Sequence, residues 1–243
     1  MAAVGEAWRD HEVAARFATH RAHIVPEART QVDVLLRVLR QRPRPVERIL
    51  DLGCGDAILL AALLDAFPDA CGIAVDYSLE MLARATDRLA AFPERIAVQP
   101  GDLRTPDFWR VVPGPVDVVV SGFAIHHLPE LRKRTLYSEI FLGLQPGGTF
   151  LNLEHVASAT PAGENCFDVA MVEFQLATRR AAGEDVDFEL LWQQHQTRPD
   201  KADNLLAPVE MQCQWMRDLG FVDVDCFWKW FELALFGGHR PCN

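Results

Sequence analysis

Short apolar runs alternate with amphipathic segments along the middle of the chain. The runs are rich in Val, Ile and Leu, which is typical of strands covered on both faces. They predict five strands, at residues 46–52, 70–75, 95–99, 116–121 and 149–154. The intervening segments include predicted helices at 56–67, 78–91 and 130–142. This alternation indicates a doubly wound, mostly parallel α/β sheet with right-handed crossovers.

The pattern changes on both sides of this core. Residues 10–41 predict two helices broken around Pro26, and residues 158–208 have helical stretches but no convincing strand. After a further helix at 209–219, two strands are expected at 222–230 and 231–236, with Gly237 and Gly238 ending the second. The prediction is therefore a seven-stranded sheet in four parts. These are an N-terminal helical cap (1–45), an α/β core (46–157), a helical insertion or lid (158–208), and a C-terminal helix with a β-hairpin (209–243).

Composition narrows the class of protein. The 243 residues are 49% hydrophobic and 24% charged, which is ordinary for a globular domain. A net charge of −10 argues against nucleic acid, because binding to phosphates relies on clustered Lys and Arg. The six cysteines are scattered without a Cys-x-x-Cys pair, which predicts reduced thiols, a cytoplasmic protein and no metal site. No apolar run is long enough to span a membrane, and no signal-peptide core is expected.

Candidate ligand-binding residues follow four of the predicted strands. They are Asp51 with the turn Gly53-Cys54-Gly55, then Asp76, Asp102, and Ser121-Gly122-Phe123. Open α/β sheets bind ligands beyond the carboxyl ends of their strands, so these residues predict a nucleotide site. A dinucleotide fits poorly, because Ile58 replaces the third glycine and Asp51 would repel a pyrophosphate. Asp51 instead suits a cationic amino-acid tail. A nicotinamide dehydrogenase remains a distant alternative.

With these residues and the turn Leu144-Gln145-Pro146-Gly147-Gly148, residues 45–156 resemble the class I S-adenosylmethionine-dependent methyltransferases, which have a Rossmann-like fold. The resemblance implies that S-adenosylmethionine is the cofactor. It also implies a role for each motif: Asp51, Gly53, Cys54 and Gly55 for the methionine part, Asp76 for the ribose, Asp102 and Leu103 for the adenine edge, and Tyr77 and Met81 for the adenine faces. Ser121 and Phe123 complete the expected cofactor site. Ala57 stands where many members have a third glycine, so a slightly different turn is expected.

A narrower resemblance involves Ile125-His126-His127-Leu128 and Asn152-Leu153-Glu154-His155. These segments are similar to the branch whose members make carboxy-S-adenosylmethionine for the modification of tRNA wobble uridines. In that branch an arginine matches the carboxylate on the cofactor. Arg198 lies in the corresponding region of this chain, and the resemblance leaves the reaction open.

Methyl transfer from a sulfonium is an in-line displacement, and a protonated acceptor requires a base. His126 and His155 follow strands that border the expected methyl site, and both are predicted to be catalytic. Phe17, Glu154 and Arg198 are predicted to line the acceptor pocket. For each of these residues, ordinary packing or hydrogen bonding is the alternative. The cluster Arg132-Lys133-Arg134 is expected to be the solvated face of a helix.

The leading hypothesis is a methyltransferase that acts on a small-molecule acceptor. One alternative is a carboxy-S-adenosylmethionine synthase, which would convert prephenate and S-adenosylmethionine to the carboxylated cofactor. A second alternative is a non-catalytic, cofactor-binding dimer. No metal is expected, and a homodimer is plausible on either view.

Overall fold

A seven-stranded sheet forms the centre of the molecule. The computed structural model describes residues 25–42 and 44–242. The first of the two helices expected between residues 10 and 41, and Phe17, lie outside the described residues. The strands are β1 (Arg48–Leu52), β2 (Cys71–Asp76), β3 (Ile96–Pro100), β4 (Val116–Gly122), β5 (Leu144–His155), β6 (Val222–Trp230) and β7 (Leu233–His239).

Helices cover both faces of the sheet. The α-helices are α1 (Ala28–Arg40), α2 (Ile58–Ala66), α3 (Leu79–Leu89), α4 (Glu130–Gly143), α5 (Pro161–Ala181), α6 (Phe188–Thr197) and α7 (Val209–Asp218). Three short 3-10 helices span Pro106–Val111, Ile125–His127 and Pro199–Asp203. Ser78 caps α3, because its hydroxyl accepts a hydrogen bond from the Met81 amide.

The strand order is β3-β2-β1-β4-β5-β7-β6. Strands β1 to β5 are parallel, whereas β7 pairs antiparallel with both β5 and β6. The doubly wound, mostly parallel sheet predicted from the sequence is confirmed. Strands β2 and β3 lie on one side of β1, whereas β4 and β5 lie on the other side. The strand order therefore reverses between β1 and β4, where ligands bind in such sheets.

Alternate residues of the central strands enter two separate cores. Leu50 and Leu52 of β1 face the side of α4 and α7, while Ile49 faces the side of α1 to α3. Both layers are fully buried. This double burial explains why the strands are continuous apolar runs in the sequence, without an alternation of polar residues.

The C-terminal hairpin differs from the prediction. Strand β7 continues to His239 and contains Gly237 and Gly238, which were expected to end it. A Cβ atom at Gly237 would overlap the backbone carbonyl of Phe150 in β5. Glycine is therefore required there for the close approach of two backbones, and it does not terminate the strand.

Residues 158–208 are helical, and the structure assigns no named strand within them. Helix α5 packs on the hairpin through Met171, which contacts Leu233, and through Phe174, whose ring centroid lies 6.1 Å from that of Trp230. The end of this segment returns to β4, where the Leu205 amide donates to the His126 carbonyl. Within the described residues, no helix is both long and apolar enough to cross a bilayer.

Candidate active site

A cavity opens at the carboxyl ends of β1, β2 and β4, beside the loop that follows β3. It is lined by Gly53, Cys54, Gly55, Asp76, Tyr77, Ser78, Met81, Gly101, Asp102, Leu103, Arg104, Gly122, Phe123, Ala124, His127 and Leu128. The structure thus brings together nine of the eleven residues predicted to bind the cofactor.

The turn after β1 is held in a left-handed conformation. Gly53 has a φ of 66°, and its added Cβ would overlap the Cβ of Ala124 on the opposite wall. The Gly53 and Cys54 amides both donate to the Val75 carbonyl, over 2.8 and 3.0 Å. Ala57 also has a positive φ of 57° and is fully buried. The turn therefore places an alanine in the conformation that glycine adopts most readily.

Asp76 joins this turn to the end of β2. Its carboxylate accepts hydrogen bonds from the Gly55 amide at 2.9 Å and from the Ser78 amide at 2.8 Å. Burial raises the pKa of Asp76, and these backbone hydrogen bonds oppose the rise. The carboxylate is fixed by backbone groups on two sides of the cavity, an arrangement that suits an acceptor for ligand hydroxyls.

The opposite end of the cavity carries Asp102, Leu103 and Arg104. The Arg104 guanidinium donates to the Asp102 carboxylate, with 2.6 Å between Nη2 and Oδ2. The Arg132 Nε atom donates to the Leu103 carbonyl at 2.7 Å, which anchors this loop to α4. Asp102 is predicted from the sequence, whereas Arg104 is not. Arg104 could have been identified from its position two residues after Asp102 in the same turn.

Two residues predicted to bind the cofactor do not line the cavity. The Ser121 hydroxyl is fully buried and donates to the Leu52 carbonyl at 2.8 Å, so it ties β4 to β1 inside the sheet. Asp51 is also buried within β1, although a position outside the core was expected for it. Both side chains lie behind the glycine turn, since they sit within their strands and not in the loops beyond them.

Three histidine rings lie side by side where β4 and β5 end. The ring centroids of His126 and His127 are 3.9 Å apart, and those of His126 and His155 are 5.7 Å apart. His127 lines the cavity, whereas His126, predicted to be catalytic, is buried directly behind it. The sequence alone could not distinguish these neighbours, because the rotation of a short 3-10 turn decides which ring faces inward.

His126 forms a short contact with Glu154, also expected in the acceptor pocket. Its Nδ1 atom lies 2.6 Å from Glu154 Oε1, which also accepts a hydrogen bond from the His155 amide at 2.9 Å. Burial lowers the pKa of His126 well below its usual value and raises the pKa of Glu154 to about 7. His126 is therefore a neutral imidazole that borders a carboxyl group able to change charge near neutral pH.

His127 is fixed in one tautomer by its backbone partner. Its Nδ1 atom lies 3.1 Å from the Asp203 carbonyl oxygen, which can only accept, so Nδ1 carries the proton. Burial lowers the pKa of His127 to about 3. The ring that faces the cavity is therefore uncharged at neutral pH and does not repel a cationic ligand.

A second group of buried and half-buried polar side chains lies within the insertion and beside it. His155 Nε2 is 2.8 Å from Glu232 Oε2, and His195 Nε2 is 2.6 Å from Asp168 Oδ1. Arg198 lies near both pairs, since its charge lowers the pKa of Glu232 and of His195, although burial is the largest influence on each. Glu232 and Asp168 were not identified from the sequence. No cluster of three or more candidate metal ligands occurs in residues 25–42 and 44–242.

The structure contradicts the predicted surface position of one residue in α4. Lys133 of α4 is only 1% exposed, although the Arg132-Lys133-Arg134 cluster was expected to face solvent. Its neighbour Arg132 pairs with Glu139, with 2.6 Å between Nη1 and Oε1. The basic cluster is therefore partly internal, with Lys133 buried, Arg132 half-buried and only Arg134 exposed.

Comparison with known proteins agrees with this geometry. Residues 49–148 match the family described as "Methyltransferase domain". The carboxy-S-adenosyl-L-methionine synthase of a Nitratiruptor species is 24% identical over 230 residues, which cover 93% of this chain and 90% of that protein. The trans-aconitate 2-methyltransferase of Mycobacterium marinum is 36% identical over 121 residues, which cover 50% of this chain and 39% of that protein.

The fold is shared with solved methyltransferase structures. An O-methyltransferase family protein from Burkholderia thailandensis superimposes with a TM-score of 0.69 at 19% sequence identity. The match covers 99% of this chain, which spans 64% of the length of that one. Taken with the glycine turn and the strand-end acids, these findings show that residues 49–148 form a methyltransferase domain of the class I S-adenosylmethionine-dependent type, with S-adenosylmethionine as its cofactor.

Proposed function

We propose that this protein transfers a methyl group from S-adenosylmethionine to a small-molecule acceptor held between the histidine rings and the insertion. The observation that carries the proposal is the buried His126–Glu154 pair, 2.6 Å between Nδ1 and Oε1, directly behind the wall of the cofactor cavity. A pair of this kind, next to the reacting methyl group, can take up a proton that the acceptor must lose.

The cavity residues fit the cofactor. The Gly53 turn allows close approach of the methionine part, Asp76 would accept ribose hydroxyls, and Asp102 would meet the adenine edge. Apolar side chains at Met81, Leu103 and Phe123 would cover the adenine ring. When bound, the cofactor supplies an electrophilic methyl group on a sulfonium. The uncharged ring of His127 fits a cationic sulfonium better than a protonated one would.

Proton transfer is assigned to His126. Its Nδ1 atom faces Glu154, so Nε2 is the ring nitrogen left to receive a proton. The bound cofactor would supply its methyl group to an acceptor oxygen or nitrogen, and the protein would have to take up the proton that this atom loses. The acceptor proton passes to His126 Nε2, and the carboxylate of Glu154 stabilises the imidazolium that forms. His155, bonded to Glu232, would orient the acceptor from the β5 side.

The overall charge of the chain also supports a small-molecule acceptor. The net charge of −10 is unfavourable for a nucleic-acid acceptor. We propose residues 158–208 as a lid over the acceptor, residues 1–45 as a cap, residues 46–157 as the cofactor-binding core and residues 209–243 as the completion of the sheet. A cytoplasmic location and a homodimer complete the proposal.

The first experiment is mass spectrometry of the small molecules released from denatured, freshly purified protein. We expect S-adenosylmethionine or S-adenosylhomocysteine. An acceptor screen would then measure the formation of S-adenosylhomocysteine, with His126→Asn as the inactive control. Cofactor binding without turnover of any acceptor would contradict the proposal and favour the non-catalytic dimer.

A carboxy-S-adenosylmethionine synthase is the second candidate function. The similarity to such synthases extends over 93% of this chain, whereas the trans-aconitate methyltransferase matches only 50%. Arg198 lies close enough to His126 to lower its pKa, after the larger influences of burial, His155 and Lys133, so a positive side chain is near the expected methyl position. Incubation with S-adenosylmethionine and prephenate tests this candidate. Formation of the carboxylated cofactor, lost in Arg198→Ala, would replace methyl transfer to an acceptor as the reaction.

A further inference from the structure

Lys133 is a buried lysine that the proposed reaction does not use. Its ammonium group donates to three backbone carbonyls: Leu128 at 2.7 Å, His126 at 3.3 Å and Leu205. The side chain is 1% exposed, so its charge is withdrawn from water. A buried ammonium ion is costly unless all its donors are satisfied, and here three carbonyl oxygens satisfy them.

The three carbonyls belong to two distant segments that meet at the site. Residues 126–128 carry the histidines after β4, and Leu205 follows the last 3-10 helix of the insertion. The Leu205 amide donates to the His126 carbonyl at 3.0 Å, and His127 Nδ1 donates to the Asp203 carbonyl at 3.1 Å. Lys133 adds hydrogen bonds to the carbonyls of both segments. It therefore fixes the histidine segment against the insertion.

The charge of Lys133 also acts on the buried acid of the site. The charged and titratable groups around Glu154 are Lys133 and Tyr137 from α4, His126 and His127 from the segment after β4, and His155 from β5. Glu130 at the start of α4 also faces Lys133. Burial raises the pKa of Glu154 and so favours the neutral acid. Among the surrounding side chains, Lys133 lowers that pKa the most. Burial lowers the pKa of Lys133 to about 8.

We propose that Lys133 is a positioning residue, which ties the His126 segment to the insertion and holds Glu154 as the carboxylate that orients His126. This inference rests on the proposed role of His126 and Glu154 in methyl transfer. Lys133 itself contacts neither cofactor nor acceptor.

The test is an NMR titration of the protein without cofactor or acceptor, with ¹³C-labelled glutamate side chains and ¹⁵N-labelled histidine rings. The variants are Lys133→Met, Lys133→Arg and, as a matched control, Lys229→Met. Lys229 is exposed, and its ammonium group donates to a single backbone carbonyl, that of Phe231. We expect the Glu154 titration midpoint to rise by about one pH unit in Lys133→Met, because a nearby positive charge is lost. It should stay unchanged in Lys133→Arg and Lys229→Met.

A folded Lys133→Met protein with an unchanged Glu154 midpoint would overturn the inference. If Lys133→Met does not fold, Lys133→Arg decides the question at high pH. Between pH 7 and 10 the wild-type His126 and His127 resonances should shift as Lys133 loses its proton, and arginine should abolish that shift. An equal shift in both proteins would also overturn the inference. The titration is measured without cofactor or acceptor, so its result does not depend on catalysis. If the proposed methyl transfer is wrong, the protein will be inactive, but the Glu154 midpoint will still change when Lys133 is replaced.

Discussion

The two sides of the cavity are built in different ways. The cofactor side consists of loops directly after β1, β2 and β3, and each loop contributes a short run such as Gly53–Gly55 or Asp102–Arg104. Its acid at the adenine end is 36% exposed and pairs with an arginine two residues away. The histidine side draws on β5, α4, the segment after β4 and the end of the insertion, and its ionisable groups are buried.

The difference shows how burial changes the demands on polar residues. On the cofactor side, half-exposed Asp102 needs only a local partner, because water screens the remaining charge, and buried Asp76 takes its partners from the backbone of the two adjacent turns. On the buried side, Glu154, His126 and Lys133 lie in a low-dielectric interior, where burial shifts the pKa of each group most and the charge of Lys133 further lowers the pKa of both His126 and Glu154. We therefore expect substitutions on the cofactor side to change binding, and substitutions on the histidine side to change chemistry and its dependence on pH.

The largest expected effect is on chemistry. His126→Asn removes the proposed base, so kcat for methyl transfer should fall by about 10²- to 10⁴-fold. Cofactor affinity should not change, because His126 lies behind the cavity wall. Single-turnover kinetics and calorimetry with S-adenosylmethionine measure the two quantities. If the variant loses cofactor affinity by the same factor as kcat, the histidine side affects binding as much as chemistry, and the expected difference between the two sides is wrong.

The glycine turn offers a matched pair of substitutions on the cofactor side. Gly53→Ala should weaken S-adenosylmethionine binding by about 10- to 100-fold, since the left-handed conformation is strained for alanine and its Cβ would overlap Ala124. Gly55→Ala has a similar φ of 55° but no heavy atom within 4 Å of its Cβ, so only about 1 kcal/mol of backbone strain is expected. Calorimetric affinities, with thermal unfolding as the check on folding, compare the two. Equal losses would show that overlap with Ala124 is not the cause.

Glu154→Gln tests the buried carboxyl group through stability. The pKa of Glu154 rises from its ordinary 4.5 to about 7 in the folded protein, so the folded state loses stability as the pH rises from about 4.5 to about 7, where the unfolded chain is ionised and folded Glu154 is not. Glutamine avoids that cost. The variant should therefore gain about 3 kcal/mol over the wild type at pH 8.5 and no more than about 1 kcal/mol at pH 5, where folded Glu154 is protonated and only the unfolded chain is partly ionised. Denaturant unfolding at the two pH values measures this, and an equal effect at both would exclude a raised pKa.

The smallest effect is expected at the exposed acid. Asp102→Asn should weaken cofactor binding by about 1 kcal/mol, the size of one hydrogen bond, and leave the unfolding temperature unchanged. The side chain is partly exposed and already paired with Arg104, so its removal leaves no buried group without a partner. Calorimetry and thermal unfolding check both statements. A large drop in stability would place Asp102 with the buried groups instead.

Local patterns in the sequence predicted most of the fold and the cofactor side. Five parallel strands follow from apolar runs, and Gly53, Asp76 and Asp102 each follow a strand that ends at the same edge of the sheet. The prediction was wrong about Gly237 and Gly238, which are inside β7, and about Lys133, which is buried. In each case the deciding neighbour is distant in sequence: Phe150 for Gly237 and Leu205 for Lys133.

The sequence by itself determined the methyltransferase domain, the sheet and two acids that line the cavity, Asp76 and Asp102, because those features depend on residues within one strand and the turn after it. Only the tertiary structure decided which histidine lines the cavity and which carboxyl group meets His126. His126 and Glu154 are separated by 28 residues, and His155 and Glu232 by 77. Such pairs form where packing of the sheet, α4 and the insertion brings their elements together, and the burial that results is the largest influence on the pKa of His126, Glu154 and Glu232.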